Sequence, residues 1–295
     1  MRIRLAGCVV LALLAVGCTR RAAPPAGPAR YLVGGGYQQS GTWFYPREDF
    51  HYDATGLAAV LPDRRSVTAN GEAFDPTALT AAHQTLQLPS VARVTNLETG
   101  AQLLLRINDR GPASPARIIA LSPRAASLLG VSGTARVRVQ VEEQPSMALR
   151  EQLGGGPRLT VAAAPRASVT AEALAPPSGV AQSSRGRNAG GPQAAMAEPT
   201  QTAETVPDRL PETVTRGPVA PGSLMIRAGS FGQMQYAARV EARLSRIGGR
   251  VVRVRDGRSD RFEVQAGPFA SVAAADAALD QALRAGVSDA RISVE

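Results

Sequence analysis

Short runs in which apolar and polar residues alternate recur through the first half of the chain. Residues 136–141 have the sequence RVRVQV, and apolar side chains occupy every second position from Leu103 to Ile107. Apolar runs at 56–60 and 91–97 add two candidate strands. A period of two puts one face of each strand toward a core and the other toward water. The pattern therefore predicts several short, half-buried β-strands.

One helix is predicted among these strands. Ser122 is a favourable N-cap residue, Pro123 suits the first helical position, and Gly130 suits the C-terminal end. Several short strands and a single helix within residues 55–142 favour a closed β-barrel over a βαβ sheet.

The last part of the chain, residues 222–295, contains one pattern twice. An apolar segment at 224–231 is similar to another at 261–269, and an amphipathic helical pattern follows each of them. Two further strand candidates lie at 251–254 and 290–294. The predicted order is βαββαβ, an open four-stranded sheet with two helices on one face.

Composition separates these two domains from segments that are not expected to fold. The 295 residues include 22 prolines and 29 glycines, which is a high share for a globular chain. Residues 18–30 are rich in Pro, Ala and Gly and predict a tether. Residues 143–221 are rich in small and polar residues and predict a disordered linker. The net charge of +9 favours an anionic partner, such as nucleic acid, a membrane surface or an acidic polymer.

The first seventeen residues have the pattern of an export signal. Two arginines precede an apolar run at 5–16, which is too short to span a bilayer. The sequence Leu-Ala-Val-Gly before Cys18 resembles a bacterial lipobox. That resemblance implies lipidation of Cys18, and Thr19 after it implies the outer membrane. The alternative is a plain secretory signal with an incidental cysteine.

Residues 31–54 hold seven of the chain's twelve aromatic residues. A flexible tether does not carry so many large apolar side chains, so this aromatic arm is expected to pack on something. One interpretation is a cover over the outside of the barrel. The other is a sugar-stacking platform beside a cleft, centred on Trp43, Phe44 and Tyr45.

Three groups able to move protons lie close together in the sequence, each beside a turn signal. Glu72 follows Asn70-Gly71, His83 ends the segment ALTAAH, and Asp109 precedes Arg110-Gly111-Pro112. Glycine and proline force tight bends, and a titratable group at such a bend can face a cleft while a strand holds it.

The segments TANGEAFD (68–75), ALTAAH (78–83) and RINDRGP (106–112) resemble the rare lipoprotein A (RlpA) family of septal-ring lytic transglycosylases. The resemblance implies a double-psi β-barrel. It implies that Asp109 is the acid and base of the reaction, with His83 and Glu72 as catalytic partners and Asn108 and Arg110 as substrate contacts. Residues 57–61 depart from the family's Ala-Ser-Trp-Tyr-Gly, so a sugar-facing aromatic is missing there.

The repeat at 222–295 resembles a SPOR domain, which binds peptidoglycan glycan strands. The resemblance implies glycan contacts at Ser230, Phe231, Gln265 and Phe269. Arg227 stands where the family usually has Gln. The two phenylalanines could equally be core residues, and RNA-recognition modules share the same topology. The export signal argues against a nucleic-acid partner.

These resemblances together predict a lipid-anchored envelope enzyme, an endolytic lytic transglycosylase that needs no metal or cofactor. Its expected substrate is the MurNAc–GlcNAc β-1,4 bond of peptide-free (denuded) glycan strands at the division septum, and its product a 1,6-anhydro-MurNAc end. The alternative is a non-enzymatic, glycan-binding lipoprotein with an expansin-like barrel and a SPOR domain.

Overall fold

The computed structural model describes residues 26–62, 66–154, 206–207, 209–256 and 259–295. The predicted signal peptide, the lipidation site at Cys18 and most of the predicted linker lie outside the described residues. No helix within the described ranges is long and apolar enough to cross a membrane.

The N-terminal elements are a hairpin and six strands that close into a barrel. The hairpin pairs β1 (Tyr37–Gln39) with β2 (Thr42–Phe44). The barrel strands are β3 (Asp53–Val60), β4 (Thr80–His83), β5 (Ser90–Asn96), β6 (Ala101–Asp109), β7 (Ile119–Leu121) and β8 (Ala135–Val141).

These six strands hydrogen-bond in the order β4-β7-β3-β8-β5-β6, and β6 returns to β4 to close the barrel. The pairs β3–β7 and β4–β6 are parallel, and the remaining pairs are antiparallel. The alternating apolar residues fill the interior, where Leu105, Ile107, Ile119, Val137 and Val139 are completely buried. The predicted double-psi β-barrel is confirmed.

The predicted helix is α1 (Pro123–Leu129), which packs on the barrel. The Ser122 side chain accepts a hydrogen bond from Ala125 N–H at 3.2 Å, and Gly130 ends the helix with φ of 70°. The local capping signals therefore place both helix ends as expected.

The structure differs from the predicted linker at both of its ends. Helix α2 (Glu143–Leu153) lies against β5, with Leu149 buried and Ser146 hydrogen-bonded to the backbone of Val91. Near the other end, β9 (Thr215–Arg216) pairs with the start of β6. The linker prediction used composition alone, and composition does not reveal that the barrel surface offers partners for these segments.

The C-terminal domain is an antiparallel sheet with two helices, in the predicted order βαββαβ. Its elements are β10 (Leu224–Phe231), α3 (Met234–Arg243), a 3₁₀ helix (Ser245–Ile247), β11 (Gly249–Asp256), β12 (Ser259–Phe269), α4 (Val272–Arg284) and β13 (Arg291–Val294). The strand order is β11-β12-β10-β13. Leu224, Ile226, Val264, Leu279 and Ile292 form the core of this domain.

The C-terminal domain contacts the barrel through β13 and α4. Thr55 Oγ1 donates to Val294 O at 2.7 Å and accepts from Val294 N–H at 3.1 Å. Arg117 forms a two-point ion pair with Asp276 at 2.7 and 3.0 Å. The Thr55 hydrogen bonds join the edge strand β13 to strand β3 of the barrel. The ion pair joins α4 to the segment between β6 and β7.

Candidate functional site

The turn Thr68–Glu72 supports the site and is itself held by internal hydrogen bonds. Thr68 N–H donates to Glu72 O at 2.8 Å, and Gly71 N–H donates back to Thr68 O at 2.9 Å. Gly71 has φ of 99°, which L side chains rarely adopt, so this position requires glycine. The Asn70 side chain is completely buried and accepts from Thr68 Oγ1 at 2.7 Å. The turn is therefore rigid before any substrate is present.

Glu72 projects from this turn into a network of hydrogen-bond donors. Its Oε1 accepts from Arg106 Nη2 at 2.7 Å and from Asn70 Nδ2 at 2.9 Å, and its Oε2 accepts from Asn108 Nδ2 at 2.7 Å. Burial alone raises the pKa of Glu72, but the hydrogen bonds from Arg106 and Asn108 and the charge of Arg106 outweigh it. The net pKa lies below its ordinary value, so Glu72 is a carboxylate at neutral pH.

Arg106 is the partner that holds this charge inside the protein. Its side chain is only 4% exposed, and Nη1 is buried without a hydrogen-bond partner among the described residues. A buried donor of this kind destabilises the fold unless an acceptor forms a hydrogen bond with it. Arg106 therefore serves inside the protein as the counter-charge of Glu72.

Asp109 ends β6 beside the same turn. Its Oδ1 accepts from Ala69 N–H at 2.9 Å and from Arg110 N–H at 2.8 Å. A shift in register leaves Asn108 without a partner in β4 and places Asp109 opposite Ala82. Asp109 as a whole is 7% exposed. The turn at 68–72 thus carries Glu72, and it holds the Asp109 carboxylate through the backbone N–H of Ala69.

His83 forms hydrogen bonds with a different set of partners. Its Nδ1 accepts from the N–H groups of Thr85 and Leu86 at 3.2 and 3.1 Å, and its Nε2 is 3.1 Å from Tyr52 Oη. An acceptor at Nδ1 assigns the proton of the neutral ring to Nε2, which donates to Tyr52. Burial, and secondarily the charge of Arg110, lowers the pKa of His83 to about 3.

Strand pairing places His83 beside Ala82, the partner of Asp109 in β6. His83 itself pairs with Ile119, a core residue. The turn Thr68–Glu72 carries Glu72 and hydrogen-bonds Asp109, and the His83 ring lies against Tyr52.

The two predicted substrate contacts beside Asp109 are engaged within the protein. The side-chain amide of Asn108 donates a hydrogen bond to Glu72 Oε2. Arg110 directs its guanidinium at the carbonyl oxygens of Leu86 and Val33. This side chain therefore fastens the aromatic arm to the turn that follows His83, and it positions both elements around the site.

The aromatic arm has both a packed side and an exposed side. Phe44 is 7% exposed, and its ring centroid lies 5.5 Å from that of Tyr37, whose hydroxyl donates to Gln84 O at 3.0 Å. Trp43 and Tyr45 are 56% and 69% exposed. The arm thus covers part of the barrel, as the first interpretation holds, and keeps two rings in solvent, as the second requires.

The predicted glycan contacts of the C-terminal domain differ in exposure. Ser230 is exposed, and Phe231 and Phe269 are partly buried against the domain core. Gln265 is buried, and its Nε2 lies 3.4 Å from Glu263 Oε2 and 3.3 Å from Glu295 Oε1. Both phenylalanines therefore contribute to packing, while Ser230 remains accessible.

Comparison with known proteins identifies both domains. Residues 39–141 match the family model described as lytic transglycolase, and residues 220–293 match the SPOR domain. A curated relative from Escherichia coli, named endolytic peptidoglycan transglycosylase RlpA, is 46% identical over 106 residues. The barrel region of the chain is therefore similar to members of the RlpA family.

A second relative of the same name gives the same result. The protein of that name from Pseudomonas aeruginosa strain UCBPP-PA14 is 40% identical over 152 residues, which are 48% of this chain. The matches cover 29% of the E. coli relative and 45% of the P. aeruginosa relative, so the chain spans less than half of either. The solved SPOR domain of P. aeruginosa RlpA aligns with 24% of this chain and 99% of its own, at 19% identity and a TM-score of 0.23.

Sequence reasoning missed three residues that form hydrogen bonds to the predicted site residues. Tyr52, Arg106 and Asn70 were not selected as site residues, although each one holds a predicted residue in place. Arg106 did carry a signal, because a charged residue in the middle of an apolar strand needs a buried partner. Tyr52 carried none, since its contact with His83 spans 31 positions of sequence.

Proposed function

We propose that this protein is a peptidoglycan lytic transglycosylase of the cell envelope. The match of the barrel to the lytic transglycolase model supports the reaction class, and so do relatives named endolytic peptidoglycan transglycosylase. The observation that carries the proposal is the position of Asp109. It is a largely buried carboxyl group fixed by two backbone N–H donors, and an ionised glutamate is held on the same turn.

Glycosidic bond cleavage needs an acid at the leaving oxygen and stabilisation of positive charge at the sugar C1. We assign the acid to Asp109, which donates its proton to the glycosidic oxygen. It then accepts the proton of the MurNAc C6 hydroxyl as that oxygen attacks C1, which closes the 1,6-anhydro ring. One residue therefore serves as acid and then as base.

Glu72 has a different role in this proposal. Its charge is fixed by Arg106 and Asn108, so it is not a proton donor at neutral pH. A fixed carboxylate stabilises a developing oxocarbenium centre if the sugar lies near it, and it keeps Arg106 in place.

His83 acts as a positioning residue in this mechanism. A neutral ring with a pKa of about 3 is a poor acid catalyst at pH 7, because the protonated form is scarce. Its Nδ1 fixes the backbone at Thr85 and Leu86, and Leu86 O in turn holds Arg110. The imidazole therefore supports the Asp109–Arg110 segment from below.

The finer parts of the proposal concern substrate and location. We propose that the substrate is the MurNAc–GlcNAc β-1,4 bond of denuded strands, that the SPOR domain brings the enzyme to the septum, and that lipidated Cys18 anchors it in the outer membrane. The SPOR match supports glycan binding. Cys18→Ser should release the protein from the membrane fraction, and a protein that stays bound would contradict the anchor.

The test of the reaction is a digest of denuded sacculi. Wild type should release products with 1,6-anhydro-MurNAc ends, identified by mass spectrometry. Asp109→Asn should lower the rate at least about a hundredfold, because it removes the acid and base. This variant is well matched, since the amide oxygen of Asn can still accept from Ala69 and Arg110. Products with ordinary reducing ends would exclude a lytic transglycosylase.

A second function, glycan binding without cleavage, is favoured by one observation. His83 is neutral, buried and bonded to Tyr52, so the barrel has one candidate proton carrier instead of two. A binding protein should retain denuded strands in a pull-down and leave their length unchanged. Wild-type cleavage that disappears in Asp109→Asn excludes this alternative.

A further inference from the structure

The hairpin β1–β2 exposes two large aromatic rings side by side. Trp43 and Tyr45 flank Phe44, and residues two apart in an extended segment share a face. Phe44 is buried on the opposite face. The ring centroids of Trp43 and Tyr45 are 6.4 Å apart, and the ring planes differ by 18°. The hairpin therefore presents a nearly parallel aromatic pair to solvent, which we call the aromatic pair.

The aromatic pair is held in a fixed arrangement. A Cβ atom at Gly36 would lie 3.1 Å from the Tyr45 ring, so this ring rests directly on the backbone of Gly36. The Trp43 ring in turn lies beside Tyr45. Exposed aromatic surface is unfavourable in water, and packing that keeps two rings in solvent points to a ligand.

The aromatic pair lines a cavity of about 450 Å³. The polar residues of this cavity include Gln84 and Thr85 from the barrel and Ser230 and Arg291 from the C-terminal domain. Apolar rings combined with a few polar groups are typical of ligand sites, where the rings supply contact area and the polar groups supply orientation. Ser230 was predicted as a glycan contact, and it faces the same cavity as the aromatic pair.

The charge of the cavity favours an anionic ligand. Arg47 lines it with a side chain that is 73% exposed and pairs with Asp49 at 3.4 Å, and Arg291 forms no ion pair with any residue that the structure describes. Asp289 is the one acidic residue among the described residues of its lining. A denuded glycan strand has matching features, because its pyranose rings have apolar faces and each MurNAc carries a free lactyl carboxylate.

We propose that Trp43 and Tyr45 form a sugar-stacking subsite for the glycan chain, with Arg291 as a contact for a lactyl carboxylate. This proposal rests on the proposed function and extends the substrate site beyond Asp109. The subsite adjoins the catalytic barrel, since Gln84 directly follows His83 and its carbonyl accepts from Tyr37 of the same hairpin. It supplies the aromatic contact that residues 57–61 lack, where Leu57 and Ala58 are completely buried.

Trp43 is the only tryptophan of the chain, so its fluorescence reports this subsite alone. The experiment titrates the full-length Asp109→Asn variant with a soluble, peptide-free octasaccharide prepared from sacculi. We expect a saturable change in Trp43 emission. Tyr45→Ala in the same background should weaken binding about tenfold, because one stacking surface is lost. Tyr236→Ala is the matched control, an exposed tyrosine on α3, and should leave the affinity within about twofold.

The charge of the ligand gives a second arm. Arg291→Gln should weaken binding of the peptide-free octasaccharide and leave the weaker binding of neutral chitohexaose unchanged. An unchanged Trp43 emission, or equal affinities of the Tyr45→Ala and parent proteins, would overturn the subsite. Formation of anhydro products by wild type would then still support the proposed function. If the fluorescence responds as expected but wild type cleaves no glycan, the subsite is supported and the proposed function is contradicted.

Discussion

At the scale of single residues, the three titratable side chains differ in the groups that surround them. Glu72 is an anion because Arg106 and Asn108 donate to it. His83 is neutral because burial excludes the charged form. Asp109 accepts hydrogen bonds from two backbone N–H groups. The residue types alone would allow all three to exchange protons, and the surroundings of Glu72 and His83 are the reason we propose Asp109 for this task.

The Glu72–Arg106 pair predicts a large effect on stability. Glu72→Gln should lower the free energy of unfolding by about 3 kcal/mol, because it leaves the buried Arg106 guanidinium without its counter-charge. Urea unfolding measures this difference. Glu142→Gln is the matched control, since the Arg93–Glu142 pair is about one-third exposed and its loss should cost less than about 1 kcal/mol. Equal effects of the two substitutions would show that the buried network adds no stability.

At the scale of elements, caps and turns determine where the site residues lie. The Ser122 hydroxyl caps α1 and also donates to Ala78 O at 2.7 Å, in the segment that leads into β4. Arg110 joins the arm to the turn after β4. The functional side chains are thus held by contacts between segment ends, and the strand interiors provide the rigid frame.

The two serine caps allow a prediction at this scale. Ser122→Ala should cost about 2 kcal/mol of stability, because it removes both the cap and the hydrogen bond to Ala78 O. Ser271→Ala removes the cap of α4, where Ser271 Oγ accepts from Ala274 N–H at 3.1 Å, and should cost about 1 kcal/mol. Chemical unfolding followed by circular dichroism compares them. A smaller loss for Ser122→Ala would contradict the structural role of its second hydrogen bond.

At the scale of the whole molecule, buried ionisable groups link stability to pH. The pKa of His83 falls from 6.5 to about 3 on folding. Between these values the unfolded chain binds a proton that the folded chain does not. Stability is therefore complete above about pH 6.5 and decreases as the pH falls toward 3. The lowered pKa of Glu72 acts in the same direction, through stability that is lost when its carboxylate is protonated.

Urea unfolding between pH 7 and pH 4 tests this linkage. His83 should contribute a loss of at most about 1.4 kcal/mol for each pH unit below 6.5. The His51→Gln variant leaves His83 as the single histidine and isolates its contribution. In that variant, ¹⁵N NMR at pH 5 should show a neutral ring with its proton on Nε2. An imidazolium signal at pH 5 would refute the buried, neutral state.

Much of the architecture could be predicted because its signals are local. Alternation marked β6 and β8, and an apolar run marked β5. Ser122 and Gly130 marked the ends of α1, and the repeated segment marked the βαββαβ domain. The short strands β4 and β7 have four and three residues, too few for a pattern to stand out. Helix α2 lay in a segment whose composition suggested no fold, and it is held by contacts with β5.

The sequence by itself determined the two folds and the turn-flanked positions of Glu72, His83 and Asp109, because periodicity and turn chemistry act between near neighbours. Only the tertiary structure decided that Glu72 meets Arg106, that His83 lies under Tyr52, and that Trp43 and Tyr45 remain in solvent beside a cavity. Those outcomes depend on contacts between residues that are 31 or more positions apart, or on exposure. Burial and charge pairing set the chemistry of each group, and both are properties of the folded chain.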